Sequence, residues 1–567
     1  MIHYLFRSVI LISLVFTFNS SVNGNYPISN TEEKVLTTSS ESFEVQVYDA
    51  RIGEKEVLTP PPGPAPRING PKVYGVRPGR IFLYRIPCQG ERPITFSADG
   101  LPEGLELDAT TGIITGKTPE TKEEFEVTFK ARNAFGETTR PFRIVVGDTI
   151  ALTPPTGWNS WGGHMITVTD DIIRQAVDVF VERGLADVGF QYIGIDDCWM
   201  RVSQEMYDNL PQRIEDGKIN PHIFEKHEGF DYKSNGIIGP IRDNNGNILP
   251  NANFPDMKAL TGYIHSHGLK AGIYSAPSTT TCQGWAASGG HEMADAKQFS
   301  AWGFDLLKYD FCRAGDKRML MSRIPGFTAK DFWLPMANYI RAQDRDILFN
   351  LCQYGRGEPW TWAPSIGIQS WRIGGDLNHN VSHYFNQALR MSGPLREYSK
   401  PGHWNDPDFM YIHRIRDADR MAEPSKEIPL GTNERYQYVT LWSIVCAPFF
   451  FSCDIENIDD FTIGLLSNAD VLNINQDALA HVAEVVKDAD NQVIMVKKLA
   501  DGSKVVALFN RDETKEAVVE MDWDMVGLSS KQNVYDVWRQ KDIGVYDSGI
   551  AVKLSPNGIG LFKVGFE

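Results

Sequence analysis

The feature that most constrains this chain is an alternation that begins near Thr153 and runs to about residue 465, in which short apolar runs ending in polar residues are separated by helical segments. Asp170 to Gly184, Met257 to His267 and Ala294 to Gly303 carry the helical spacing. The apolar runs end in Trp158-Asn-Ser-Trp161, Ile193-Gly-Ile-Asp-Asp197, Ala271-Gly-Ile-Tyr274, Leu306-Leu-Lys-Tyr-Asp310, Phe349-Asn-Leu-Cys352, Ile368-Gln-Ser-Trp-Arg372, Gly402-His-Trp-Asn-Asp406 and Ile444-Val-Cys-Ala447. Eight strand–helix units over roughly 300 residues fit one (β/α)8 (TIM) barrel, a fold of typically about 250 residues plus insertions. An open doubly wound sheet is the alternative. Polar residues placed repeatedly just past the apolar part of each strand suit a barrel, whose chemistry sits at the C-terminal mouth.

At 567 residues the chain is too long for one ordinary domain, and the flanks of the barrel read as strands. A proline-rich strip, Thr59-Pro-Pro-Pro-Gly-Pro-Ala-Pro-Arg67, cannot join a helix or a central strand and reads as a stiff linker. Beyond it, Gly79–Ile86, Gly112–Gly116, Phe125–Lys130 and Pro141–Val146 largely alternate apolar and polar residues between turns, which predicts a small antiparallel sandwich. The same signature returns in Gln492–Lys497, Lys504–Phe509, Glu516–Met521 and Gly560–Val564, predicting a terminal sandwich. The expected layout is a signal peptide at 1–24, an extension with the linker at 25–66, a sandwich at 67–150, the barrel at 151–470 and a second antiparallel sandwich at 471–567. Glu41–Tyr48 also reads as a strand, with no assigned partner.

Met1 to Arg7 is lightly basic, Ser8 to Phe16 is a short apolar stretch, and Asn19 to Gly24 is small and polar. That order reads as a secretory signal and the apolar part is short for a membrane span, so an exported, periplasmic or extracellular protein is expected. Seven cysteines are too few for a disulfide-built scaffold and leave at least one unpaired. The net charge of −16, with no basic stripe, argues against a nucleic-acid partner.

The densest chemistry is acidic. Asp196-Asp197, Asp310, Asp376 and Asp406/Asp408 lie far apart in sequence, yet each follows a predicted strand, so a barrel gathers them around one mouth. Clustered carboxylates repel unless they bind a metal, share a proton or grip a polyhydroxyl ligand. His164, His291, His379 and His403 form no tight ligand motif, so no metal is expected, and no phosphate-binding glycine loop is present. Lys308 and Asp310 fall on the same side of a strand, where an ammonium favours an ionised nucleophile; a salt bridge inside the barrel is the competing role. Gly374-Gly375 lets the chain turn and carry Asp376 over a pocket, with loop capping as its competing role, while Arg372 offers a fixed fork of donors to hydroxyls. Retaining glycoside hydrolysis needs two carboxylates about 5 Å apart. Asp310 and Asp376 are the expected pair. Trp158, Trp161, Tyr274, Trp285, Tyr354, Trp360, Trp362 and Trp404 lie near these loops, and Trp161 and Tyr274 are assigned to ligand contact because aromatic planes match the C–H faces of sugars.

At these residues the chain resembles glycoside hydrolase family 27, the α-galactosidase or melibiase family of clan D. Gly157-Trp-Asn-Ser-Trp161, Tyr192-Ile-Gly-Ile-Asp-Asp-Cys-Trp199, Gly268-Leu-Lys-Ala-Gly-Ile-Tyr274, Trp302 to Asp310, Trp371-Arg372 with Asp376, and Trp404-Asn-Asp-Pro-Asp408 occur in family order across about 152 to 465. The resemblance implies that Asp310 is the nucleophile and Asp376 the general acid/base. It implies that Asp196 and Asp197 hold galactose O4 and O6, that Trp161 forms the pocket wall, and that Tyr274, Lys308 and Arg372 complete the hydroxyl network. It also implies a disulfide between Cys282 and Cys312, and no cofactor. The sandwich at 68–148 resembles the immunoglobulin-like module found ahead of barrels in bacterial carbohydrate enzymes. One departure stands out: many members have Cys-Glu-Trp where this chain has Cys352-Gln-Tyr354, placing neutral Gln353 near the sugar 2-OH. The expected partner is an α-galactoside oligosaccharide or polysaccharide. Intact Asp196-Asp197 favours galactose over the β-L-arabinopyranosides that some members cleave, which lack the exocyclic CH2OH. A non-catalytic galactoside-binding barrel is the third reading, opposed by the presence of both Asp310 and Asp376.

Overall fold

The computed structural model describes residues 47–208, 236–312, 328–416 and 428–566. The signal-like residues 1–24 and most of the strand read at Glu41–Tyr48 lie outside them.

Eight parallel strands form the central sheet: β1 (Thr156–Asn159), β2 (Tyr192–Gly194), β3 (Lys270–Ser275), β4 (Leu306–Asp310), β5 (Leu348–Cys352), β6 (Ser370–Arg372), β7 (Trp404–Asp406) and β8 (Phe449–Phe451). Their order is β7-β6-β5-β4-β3-β2-β1-β8, and a parallel bridge from Met410, just past β7, to Phe451 closes the barrel. Nearly every strand residue is buried, as expected for a sheet covered on both faces. Helices supply the outer cover. Thr169 caps Asp170–Glu182 by accepting from the Ile172 N–H, two aspartates sit in its first turn, and Ile173, Ala176, Val177 and Phe180 bury one stripe at helical spacing.

The last strand corrects the sequence reading. Ile444 ends the helix Thr432–Ile444 rather than starting a strand, Cys446 turns with a positive φ, and the strand begins after Pro448. That helix is buried on nearly every side, so its apolar run has no polar stripe to betray helical periodicity.

The sandwich at 67–150 packs a four-stranded sheet (Val73–Val76, Gly136–Val146, Glu123–Asn133, Thr95–Asp99) on a three-stranded one (Ile81–Arg85, Ile113–Lys117, Leu105–Leu107). It is not purely antiparallel, because Val73–Val76 pairs in parallel with Arg143–Val146. Phe82, Tyr84, Phe96, Phe129 and Phe142 fill its core. The terminal sandwich has a six-stranded and a three-stranded sheet. Its smaller sheet includes Val47–Asp49, parallel to Ala551–Lys553, so the extension before the linker supplies a strand to the far end of the chain.

Candidate active site

The site is built at the C-terminal ends of β1 to β7. Asp310 closes β4 and is only 5% exposed. Its two oxygens are held from two different strands: Tyr274 Oη, from β3, donates to Oδ2 at 3.1 Å, and Tyr354 Oη, just past β5, donates to Oδ1 at 2.8 Å. Burial pushes the Asp310 carboxyl up, and Asp376 and Asp196 add to this, while Lys308 and the Tyr354 hydrogen bond oppose it. Burial and the charge of Asp310 push both phenols up, so they remain protonated donors.

Lys308, two residues before Asp310, does not pair with it directly. Its Nζ donates to Asp196 Oδ2 at 2.7 Å. Burial alone would lower this ammonium, but Asp196, Cys352 and Asp310 together hold it above its ordinary value, and it also lies over the Tyr274 and Phe409 rings. Asp196 receives its position from β1, since its backbone N–H donates to Ser160 Oγ at 2.9 Å. Asp197 accepts from the N–H groups of Cys198 (2.7 Å) and Gln283 (3.1 Å), and burial pushes its carboxyl up to about 7.

Arg372 ends β6 with its guanidinium buried between two carboxylates, Asp408 at 3.0 Å and Asp376 at 3.1 Å. Asp376 itself keeps 70% of its side-chain surface exposed at the mouth. Gly374 and Gly375 do not serve as a left-handed turn, since neither has a positive φ. At Gly374 the need is close approach: a Cβ there would lie 2.3 Å from Gln387 Nε2. Asp408 faces the site, whereas Asp406 points into the barrel, accepting from Asn350 Nδ2 at 2.7 Å and from the Asp408 N–H at 2.9 Å.

Cys282 and Cys312 form the disulfide, with Cα atoms 4.6 Å apart, joining the loops after β3 and β4. Its sulfurs touch both phenols: Tyr274 Oη is 3.0 Å from Cys312 Sγ, and Tyr354 Oη is 3.9 Å from Cys282 Sγ. Gln353 is buried, with Nε2 donating to the Arg356 carbonyl and Oε1 without a hydrogen-bond partner among the described residues. Trp161 is half-buried beside the first strand, its backbone N–H donating to Asn159 Oδ1 at 2.9 Å. The structure thus gathers Asp196, Asp197, Tyr274, Lys308, Asp310, Arg372 and Asp376 through direct contacts or mutual fields, and joins to them Asp408 from the acidic cluster and Tyr354 from the aromatics of the mouth. Tyr354 was legible only as an aromatic near the mouth, because its partner lies 44 residues away on another strand.

A parallel barrel whose mouth holds a buried carboxylate, an exposed one on an arginine, and an acidic pair beside a lysine fits a glycoside hydrolase. The comparisons agree. Residues 225–477 match the family model for alpha galactosidase A, 489–564 match that for the alpha galactosidase C-terminal beta sandwich domain, and 65–147 match an Ig-domain model. An alpha-galactosidase of Cyamopsis tetragonoloba is 31% identical over 425 residues, covering 74% of this chain and 88% of that one. An alpha-galactosidase/melibiase candidate of Bacteroides fragilis is 33% identical with a TM-score of 0.75, covering 88% of this chain and 98% of that one. A β-L-arabinopyranosidase of Geobacillus stearothermophilus shares the fold at 20% identity and a TM-score of 0.58, over 73% of this chain and 97% of that one. The chain belongs to glycoside hydrolase family 27, the α-galactosidase (melibiase) family, and carries an immunoglobulin-like module ahead of the barrel.

Proposed function

We propose that this enzyme is a retaining exo-α-galactosidase that removes terminal α-D-galactosyl residues from oligosaccharides or polysaccharides by double displacement. The observation that carries the reading is the asymmetry of the two carboxylates: Asp310 is buried with both oxygens held, and Asp376 is exposed at the rim on Arg372. A held, buried carboxylate suits attack at C1; an accessible one suits proton traffic with the leaving group and water.

In the first step Asp376 gives its proton to the glycosidic oxygen as Asp310 attacks C1, and the aglycone leaves. In the second, Asp376 takes a proton from water, water attacks C1, and the C1–Asp310 bond breaks with its electron pair returning to Asp310. Two inversions release α-galactose. Asp196 and Asp197 accept from O4 and O6, Lys308 and Arg372 donate to the remaining hydroxyls, and Gln353 Oε1, unpartnered among the described residues, is an acceptor for the 2-OH. Trp161 forms the pocket wall. Export fits the same reading, since the signal-like residues 1–24 would deliver the chain to an oxidising compartment where the Cys282–Cys312 disulfide persists. Among the described residues no helix is long and apolar enough to cross a membrane.

The test is a time course on matched aryl α-D-galactopyranoside and β-L-arabinopyranoside, with NMR reading the first-released anomer. The galactoside is expected to react faster and to release α-galactose first, with activity lost in Asp310→Ala. Asp376→Ala should lose about 10²–10⁴-fold on substrates needing protonation and far less on a dinitrophenyl galactoside. Preference for the arabinoside would replace the galactose assignment.

A further inference from the structure

The loop that carries Tyr354 is unusual in ways the mechanism above does not use. Tyr354 sits in left-handed backbone (φ +56°), and so do Gly355 (+73°), Gly357 (+68°) and Glu358 (+50°). A left-handed aromatic residue is a costly conformation, on the order of 1–3 kcal/mol, and persists where the surroundings impose it. Here they do: the Gly355 N–H donates to the Arg372 carbonyl at 3.0 Å, and a Cβ on Gly355 would lie 2.2 Å from the Ile373 carbonyl oxygen. The loop is therefore pressed against the end of β6, and the product of that strain is one phenol aimed at Asp310 Oδ1. Many members of the family carry a tryptophan at this position, whose indole N–H lies closer to the backbone than a phenol oxygen does.

We propose that Tyr354 is a positioning residue for the nucleophile: it holds Asp310 Oδ1 and stabilises the carboxylate that leaves C1 when the glycosyl-enzyme is hydrolysed. This rests on the reading of Asp310 as nucleophile. As the C1–Asp310 bond breaks, its electron pair returns to the carboxylate, and a hydrogen bond from a neutral donor to an anion strengthens as that charge grows. The groups facing Asp310 and Tyr354 are Lys308 on the same strand, Tyr274 from β3, Asp196 past β2, Cys352 at the end of β5, Asp376 and Arg372 from β6, Arg356 in the tyrosine's own loop, and the disulfide. Each phenol also meets a disulfide sulfur, Tyr274 Oη at 3.0 Å from Cys312 Sγ and Tyr354 Oη at the looser 3.9 Å from Cys282 Sγ, and of the two bonds to Asp310 the 2.8 Å one from Tyr354 is shorter than the 3.1 Å one from Tyr274.

The experiment compares wild type with Tyr354→Phe, which keeps the ring and deletes the oxygen. On a dinitrophenyl glycoside, whose first step is fast, kcat should fall at least tenfold and KM should fall with it, because the glycosyl-enzyme accumulates. The acidic limb of kcat/KM should move to higher pH by about one unit. An unmoved limb, or a kcat within twofold of wild type, overturns the proposal. Infrared titration of the Asp310 carboxylate, assigned with Asp310→Asn, reads the same interaction without substrate. It should show Asp310 protonating at higher pH in Tyr354→Phe, and no difference overturns the proposal even if the enzyme prefers another sugar. Failure of the galactose assignment would instead appear in wild type. Tyr354→Trp provides a second variant and should behave as Tyr354→Phe does.

Discussion

Asp197 accepts hydrogen bonds from two backbone N–H groups, yet among the described residues no cation pairs with it, and burial carries its carboxyl up to about 7. In the unfolded chain the same group releases its proton near 4. Between those values the folded state binds more protons than the unfolded one, so stability falls as pH rises from about 4 to about 7 and levels off above. Thermal melts of ligand-free protein should show this decline, and Asp197→Asn should reduce its slope, the buried Asp408 carboxyl, also raised to about 7, supplying the rest. A sugar hydroxyl donating to Asp197 favours the ionised form, so binding near pH 6 should release a proton, visible as a dependence of calorimetric heat on buffer ionisation enthalpy. Arg372 poses the opposite case. Its guanidinium and Asp408 are both buried, so Asp408→Ala leaves a charge whose remaining anionic partner among the described residues, Asp376, is largely in solvent. Breaking such a pair costs about 3–5 kcal/mol, which urea unfolding would measure.

At the scale of elements, the disulfide does more than close a loop. It ties the segment after β3 to the segment after β4, and both phenols that hold Asp310 lie on its sulfurs. Its partners are 30 residues apart, and removing a link of that size costs about 4 kcal/mol. Cys282→Ser with Cys312→Ser should therefore lower the unfolding midpoint and also reduce kcat/KM, whereas a purely structural link would spare kcat/KM in the folded fraction. The strands were legible where carboxylates or arginine end an apolar run, as at Leu306–Asp310 and Ser370–Arg372, since a polar residue at the mouth marks both the strand and its direction. The eighth was misplaced because a fully buried helix and a buried strand present the same apolar run. The site was legible in residue identity but not in pairing: Lys308 was read toward Asp310 and bonds Asp196, because strand periodicity fixes the side of a sheet and not the partner across it.

At the scale of the molecule, the immunoglobulin-like module is fastened to the floor of the barrel, opposite the mouth. Arg77 bonds Asp346, Arg85 and Arg92 both bond Asp187, and Asn69 Nδ2 donates to the Asp187 carbonyl at 3.0 Å. The centre of the contact is Lys270, the first residue of β3. Its Nζ donates to Tyr74 Oη of the module and lies 4.2 Å from the Tyr74 ring centre and 5.5 Å from that of Tyr192. Burial lowers this ammonium to about 8, against the pull of Asp305 and Asp346 and with the help of Arg345. An unfolded lysine keeps its proton to about 10.4, so between about pH 8 and 10.4 the unfolded state binds more protons and stability rises with pH. Below pH 8 the cost of the buried charge is constant. Lys270→Met fills similar volume without a titrating group. The stability difference between wild type and Lys270→Met, from urea unfolding, should therefore move in favour of wild type by about 2 kcal/mol between about pH 7.5 and 9.5. Replacing residues 67–147, the module alone, with a short linker exposes Lys270 to water, returns it to ordinary titration and should abolish that dependence. A pH-independent difference in the full chain would mean that water already reaches this ammonium and that the module does not seal the barrel floor.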